Sequence, residues 1–149
     1  YGIHPYPPVP QESKTTLYKD KELIKLAAEL QDSSESTIVC GDLNDVAWSN
    51  TTSMFQQITG LLDPRKGRRF LATFHVKFPL LRFPLDHIFC SQEFTLLALE
   101  KLPSIDSDHY PVMVRLNHQP AAEKKHSAPE LEEETIEESK EILQEKLPD

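Results

Sequence analysis

The stretch Thr37-Ile38-Val39-Cys40-Gly41-Asp42-Leu43-Asn44-Asp45 decides how this chain is read. Its first four residues are β-branched or apolar and suit a short buried strand. They run directly into a glycine and a cluster of side chains that favour turns. Alternation along an extended chain points Ile38, Cys40 and Asp42 to one face and Val39 and Gly41 to the other. Asp42 and Asn44 then stand on the loop just past a strand, where functional side chains concentrate. Gly41 leaves room for a ligand or a second backbone to come close. A carboxylate and an amide two residues apart can address one bound group together, the first as acceptor or base and the second as donor. Read alone, the same letters also describe a plain turn. They do not describe a calcium loop: counted from Asp42, the sixth position is Ala47 and the twelfth Ser53, where Gly and Glu are needed.

Upstream, Pro5-Tyr6-Pro7-Pro8-Val9-Pro10 excludes helix and central strand, because proline fixes φ and lacks a donor. It is a rigid loop leaving Tyr1-Gly2-Ile3-His4, which reads as the end of a strand cut from something longer. Leu23, Leu26, Ala27 and Leu30 follow a helical period, predicting a helix over about residues 17–31 capped by Thr15 or Thr16. Downstream, a short helix is expected over residues 50–60, with Thr51 or Thr52 near its start and Gly60 at its end. The basic loop Arg65-Lys66-Gly67-Arg68-Arg69 is either solvated or a phosphate-facing rim. Strands are expected at residues 70–76, 85–91, 94–99 and 111–116. Helices interleaved with strands, then strands in succession, indicate an α/β or α+β domain with a mixed sheet.

Of the formal net charge of −8 over 149 residues, −6 belongs to residues 120–149 and only −2 to residues 1–119. The body is thus near neutral, which disfavours tight nonspecific nucleic-acid binding. The Glu-rich segment after residue 119 reads as a charged linker and an acidic helix over about residues 129–146, with Pro129 in its first turn. Alone, that helix would be marginal. Cys40 and Cys90 lack a metal spacing and are expected to be buried thiols, with a disulfide left open. No apolar run approaches the ~20 residues of a membrane span, and no signal peptide is visible.

Three more places can carry chemistry. Ser107-Asp108-His109 precedes the last strand, and a histidine beside a carboxylate combines a proton-exchanging group with a ligand for a hard cation. Asp86 begins a strand and shares a face with Ile88 and Cys90, so it is expected to be largely buried and to need a partner. His109 is the preferred partner, because a carboxylate fixes an imidazole's tautomer and raises its basicity; Arg82 or a backbone turn is the alternative. His4 ends the first strand and is either structural or part of the site. His75, His87, His118 and His126 show no ligand spacing.

In order along the chain, His4-Pro5, Val39-Cys40-Gly41-Asp42-Leu43-Asn44, Leu85-Asp86-His87-Ile88 and Ser107-Asp108-His109-Tyr110-Pro111-Val112 resemble the C-terminal part of the endonuclease/exonuclease/phosphatase superfamily. The resemblance covers about residues 1–117 and is nearest to uncharacterised bacterial members, some tethered to a membrane upstream. It implies half of a four-layer αββα sandwich, mostly antiparallel and flanked by helices, with residues 1–119 as domain and 120–149 as tail. It implies metal-assisted hydrolysis of a phosphate ester with Mg2+, or Mn2+, as cofactor. Asp42 would orient or activate water, Asn44 would hold Asp42 and the transition-state oxygens, and His109, oriented by Asp86, would bind the phosphoryl group or move a proton. Asp108 would lie at the metal, and His4 and Ser107 at the substrate. The family's metal-binding glutamate belongs to an N-terminal half outside this chain; Glu12, Glu22 and Glu29 stand in the wrong place for it. An isolated half would therefore be catalytically incomplete, and its bare sheet face would favour a homo-oligomer. The competing reading is a non-catalytic interaction module that works through the acidic C-terminal helix.

Overall fold

The computed structural model describes residues 1–7, 13–68, 71–78, 80 and 82–147. Its core is built from two helices and one strand pair. Helix α1 (Ser13–Leu30) turns Leu23, Ile24, Ala27 and Leu30 inward. They meet Val39 of β1 (Ile38–Asp42), Met54, Phe55 and Ile58 of α2 (Asn50–Thr59), and Phe89 of β2 (Asp86–Cys90). The rings of Phe55 and Phe89 lie 5.2 Å apart. Each such side chain contributes about 1.5–3 kcal/mol by leaving water. Leu26, expected inside, is only partly buried, and Ile24 takes its place.

The start of α1 differs from the sequence expectation, whereas α2 begins at Asn50 as expected. No proline or glycine stands between Pro10 and α1, so the helix reaches back to Ser13 and encloses Thr15 and Thr16. Ser49 caps α2, its hydroxyl accepting from the Thr52 N–H at 3.1 Å. Thr51 and Thr52, near the start of α2 as expected, are buried, and the Thr51 hydroxyl donates to Asp20 of α1. Gly60 ends α2 at φ 67°, as expected, its N–H bonding the Gln56 carbonyl.

β1 and β2 are antiparallel, with Val39 opposite Phe89 and Asp42 opposite Asp86. Tyr1–Ile3 runs parallel along the free edge of β1, the Ile3 N–H bonding the Cys40 carbonyl at 2.9 Å. Leu62 bridges β2 at Cys90 on the other side. β3 (Phe94–Lys101) and β4 (Val112–His118) form a second antiparallel pair, with a register shift between Leu96 and Ala98. Among the described residues the expected mixed sheet is thus two separate antiparallel pairs plus isolated bridges. The strand expected at residues 70–76 begins on Phe70, outside the described residues. The remainder pairs only at Phe74, with Phe83 and His109. Pro84, on the partner segment, has no N–H to extend that ladder.

The acidic tail forms a short 3-10 helix (Pro120–Lys125) and then α3 (Glu133–Gln144). α3 starts beyond Pro129, with Glu133 and Glu134 in its first turn, where carboxylates favour the helix dipole. It packs on α1 and α2 through buried Thr135 and Ser139, and Ile142 touches the core. The Thr135 hydroxyl donates to Gln57 at 2.8 Å, and the Lys21 ammonium caps the far end at the Leu143 and Glu145 carbonyls. Tertiary contacts thus supply what the isolated segment lacks. No helix among the described residues is long and apolar enough to cross a membrane.

Cys90 is buried, and burial pushes its thiol up to about 11. Cys40 departs from expectation: alternation puts it on the exposed face of β1 beside Ile38, while Val39 takes the core. Both thiols are free.

Candidate active site at the strand ends

The antiparallel register brings the end of β1 and the start of β2 to one edge, so Asp42 and Asp86 face each other across the pair. Gly41 sets the shape of that edge. Its φ is 153°, and a Cβ there would stand 1.8 Å from the Ile3 carbonyl oxygen. Only glycine lets the Tyr1–Ile3 segment lie this close, and that segment delivers His4. Asn44 adopts φ 49°, a left-handed conformation that asparagine tolerates better than most residues. In this turn the Asn44 N–H donates to Asp42 Oδ1 at 2.8 Å and its side-chain amide to the Pro5 carbonyl at 3.0 Å.

His109 arrives from the segment before β4, held by backbone bonds to the strip around Phe74. The Val76 N–H donates to the Asp108 carbonyl at 2.8 Å, and the Tyr110 N–H to the Thr73 carbonyl at 3.0 Å. The Phe74 ring lies 4.9 Å from the imidazole. His109 Nδ1 meets Asp86 Oδ2 at 2.8 Å. An ionised carboxylate only accepts, so Nδ1 carries the proton and Nε2 is the nitrogen left to exchange one. Nε2 stands 3.6 Å from Asp42 Oδ2, and His4 Nε2 stands 3.8 Å from the same oxygen. Asp42 Oδ2 is therefore flanked by two imidazoles, while Oδ1 is engaged by Asn44. Burial raises the Asp42 carboxyl above its ordinary value, opposed by the Asn44 N–H and His109 and reinforced by the Asp86 charge.

Asp42, Asn44, Asp86, His109 and His4 thus come together. Asp86 is half-buried rather than largely buried, because the strand begins at the sheet edge. It takes His109 and not Arg82, whose guanidinium lies over the Tyr110 ring at 5.6 Å. Ser107 and Asp108 are exposed. The Ser107 hydroxyl accepts from the His109 N–H at 3.1 Å and lies 3.5 Å from Asp108 Oδ1, so in this structure it shapes the turn. No group of three or more His, Cys, Asp or Glu among the described residues is placed to hold a metal ion. Glu22 and Glu29 project from the exposed side of α1, and Glu12 lies outside the described residues.

Behind the cluster lies a buried network absent from the sequence reading. Arg65 was expected in a basic loop, yet it is buried and grips Asp63 through Nε and Nη2 at 2.7–3.1 Å. Its Nη1 donates to the Asp86 carbonyl and its Nη2 to His87 Nδ1, each at 2.9 Å. Because arginine only donates, His87 Nδ1 accepts and His87 Nε2 donates to the Asp45 carbonyl at 2.9 Å. Burial and the Arg65 charge lower His87 to about 4. The Asp45 carboxylate binds the Ser49 hydroxyl and the ammonium of Lys19, a buried residue of α1. One network thus ties the loop after Asp42 to the strand that bears Asp86. The signal lay in the run Ile88-Phe89-Cys90, apolar on both faces of the strand: it shields His87, on the face of Phe89, as well, and a shielded imidazole needs partners.

The sequence matches the model of the Endonuclease/Exonuclease/phosphatase family over residues 2–109. The chain belongs to that family. No curated protein matches it. Among solved structures, a conserved protein of unknown function from Enterococcus faecalis aligns with TM-score 0.57 at 19% identity, over 79% of this chain and 49% of its own. A mannosyl-6-phosphatase from Bacteroides thetaiotaomicron aligns with TM-score 0.51 at 20% identity, over 72% and 47%. A family protein from the same bacterium aligns with TM-score 0.50 at 22% identity, over 73% and 47%. At these identities the likeness concerns the fold. The chain spans about half the length of these structures, and the family match ends at His109.

Proposed function

We propose that the full-length protein is a metal-dependent phosphoesterase and that this chain supplies the C-terminal half of its four-layer sandwich and active site. The observation that carries the reading is Asp42 Oδ2, flanked by the Nε2 atoms of His109 and His4 while Asp86 holds the other face of His109. A carboxylate raised by burial is a better base than an exposed one, which suits Asp42 to orient or deprotonate an attacking water. His109, with Nδ1 protonated toward Asp86, presents Nε2 to a phosphoryl oxygen or accepts a proton there. His4 and the Asn44 amide approach from the Pro5 side as donors to charge that builds on the phosphoryl oxygens. Ser107, whose hydroxyl accepts from the His109 N–H, is assigned as a further substrate contact.

Family membership supports a divalent cation, with Mg2+ the first choice and Mn2+ a substitute. Asp108 is the carboxylate this chain offers it, and the rest of the ligand set would come from the other half of the fold. A monoester is as compatible with this geometry as a diester. Docking of α3 onto α1 and α2 favours the enzyme reading over a module that works through a free acidic helix.

Hydrolysis of bis-p-nitrophenyl phosphate and p-nitrophenyl phosphate by the full-length protein tests the proposal. Wild type should turn over one of them with Mg2+ and stop with EDTA, and Asp42→Ala and His109→Ala should each lose at least about 100-fold. Equal rates for wild type and both variants would refute the assignment.

A further inference from the structure

A cleft of about 450 Å3 lies where α2, the end of β2 and the start of β3 meet the linker to α3. Gln56, Leu62, Cys90, Phe94 and Leu96 line it from the body of the fold, and residues 125–129 line it from the linker. His126 Nδ1 donates to the Gln92 carbonyl at 2.6 Å, which pins that linker to the turn between β2 and β3. None of Asp42, Asn44, Asp86, His109 and His4 lines the cleft. Cys90 stands at the far end of β2 from Asp86, about 13 Å along an extended strand. The cleft is a separate place on the molecule.

Gln56 carries the signal that the cleft has an occupant. The residue is 3% exposed, and its Oε1 has no hydrogen-bond partner among the described residues. A buried acceptor without a donor is costly, and native proteins keep few of them. Charge adds an independent signal. Lys66 and Arg68 come to the cleft from one loop and Lys125 from the linker, all three exposed. Among the described residues no carboxylate lies within ion-pair distance of any of them. Asp63 is the only carboxylate among the described residues that lines the cleft, and Arg65 neutralises it. A single water could meet Gln56, but it fills only about 30 Å3 and leaves the cations and the apolar walls unused. The volume instead falls in the range of roughly 300–1,000 Å3 typical of small-molecule sites.

We propose that this cleft binds a small organic anion, with its apolar body against Phe94 and Leu96, its anionic group on Lys66, Arg68 and Lys125, and an N–H or O–H donor on Gln56 Oε1. Carboxylates and phosphate monoesters are the two sources of that anion, since lysine and arginine hold either. The donor sets this ligand apart from a plain apolar anion, which would leave Gln56 unpaired. The inference stands apart from the phosphoesterase reading, because the reaction-centre residues take no part in it.

Calorimetric titration of the full-length protein in EDTA tests it without turnover. The probes are p-hydroxyphenylacetate and p-aminophenyl phosphate, each with a donor at the end away from the anion. Phenylacetate and phenyl phosphate lack the donor, and acetate and inorganic phosphate lack the apolar body. Saturable binding is expected for at least one donor-bearing probe, about fivefold tighter than for its donor-lacking analogue. Whichever donor-bearing probe binds tighter assigns the anionic group to a carboxylate or to a phosphate. Gln56→Leu should bring each probe and its analogue to equal affinity, and Lys125→Ala should weaken both about threefold or more. Lys125 is the second variant because it stands on the surface, whereas Gln56 is buried in α2 and Arg68 also donates to the Pro64 carbonyl. His109→Ala should bind like wild type. The proposal is overturned if neither donor-bearing probe saturates, if the donor-lacking analogues bind as tightly, if Lys125→Ala binds like wild type, or if His109→Ala abolishes binding. Its failure alongside an active full-length enzyme would remove this site and leave the phosphoesterase reading intact.

Discussion

The two strand pairs of this protein are built from similar residues but hold their places differently. β1–β2 buries one face against α1 and α2, and Val39 and Phe89 have no exposed surface. β3–β4 places no residue in that core, and Leu97 is 62% exposed. The first pair carries Asp42 and Asp86 on a rigid base, whereas the segment bearing His109 comes off the second. The His109 segment is steadied by the strip at residues 73–76, through Phe74 with His109, Val76 with Asp108 and Tyr110 with Thr73, and the bond from His109 to Asp86 joins it to β2. Burial thus fixes half of the cluster, and hydrogen bonds across a junction fix the other half.

Paired truncations give the widest test of that contrast. Phe89→Ala should cost roughly 3–5 kcal/mol, the usual loss for a buried aromatic, while Leu97→Ala should stay within about 0.5 kcal/mol. Urea denaturation of both variants measures the difference, and equal losses would mean that β3–β4 is as firmly built in as β1–β2.

A pH series probes the network behind the first pair. His87 is held neutral, at about 4 against an ordinary 6.5, so the unfolded chain binds the proton first as pH falls. Its contribution is complete above pH 6.5 and is lost as pH falls through about 4, a loss on the order of 3 kcal/mol. Urea midpoints should fall over that window for wild type and less steeply for His87→Gln, whose amide can still donate toward the Asp45 carbonyl. Parallel curves for the two proteins would remove His87 as the cause. The smallest effect concerns the two faces of the first pair: under native conditions a thiol reagent should modify Cys40 and spare Cys90 until the protein unfolds.

Much of this was legible in the sequence for local reasons. The strand running into Gly-Asp-Leu-Asn and the Ser-Asp-His turn ahead of the last strand are set by nearest neighbours, and both lie where alternation and turn preference put them. The Asp86–His109 bond followed from the need of a shielded carboxylate for a partner, although Asp86 proved only half-buried. What failed was non-local. Nothing in residues 94–118 says that their sheet stands apart from β1–β2, because register and neighbours depend on contacts distant in sequence. Arg65 looked like one cation in a basic run, and only the buried Asp63 and His87 beside it turn it inward.

The central claim is that Asp86 acts through His109, across the junction of the two strand pairs. A double-mutant cycle on phosphoester hydrolysis by the full-length protein tests it most directly, with Asp86→Ala, His109→Ala and the double variant. The account predicts strong coupling: the double variant should be no slower than His109→Ala alone. Losses that multiply, as for two independent groups, would contradict it.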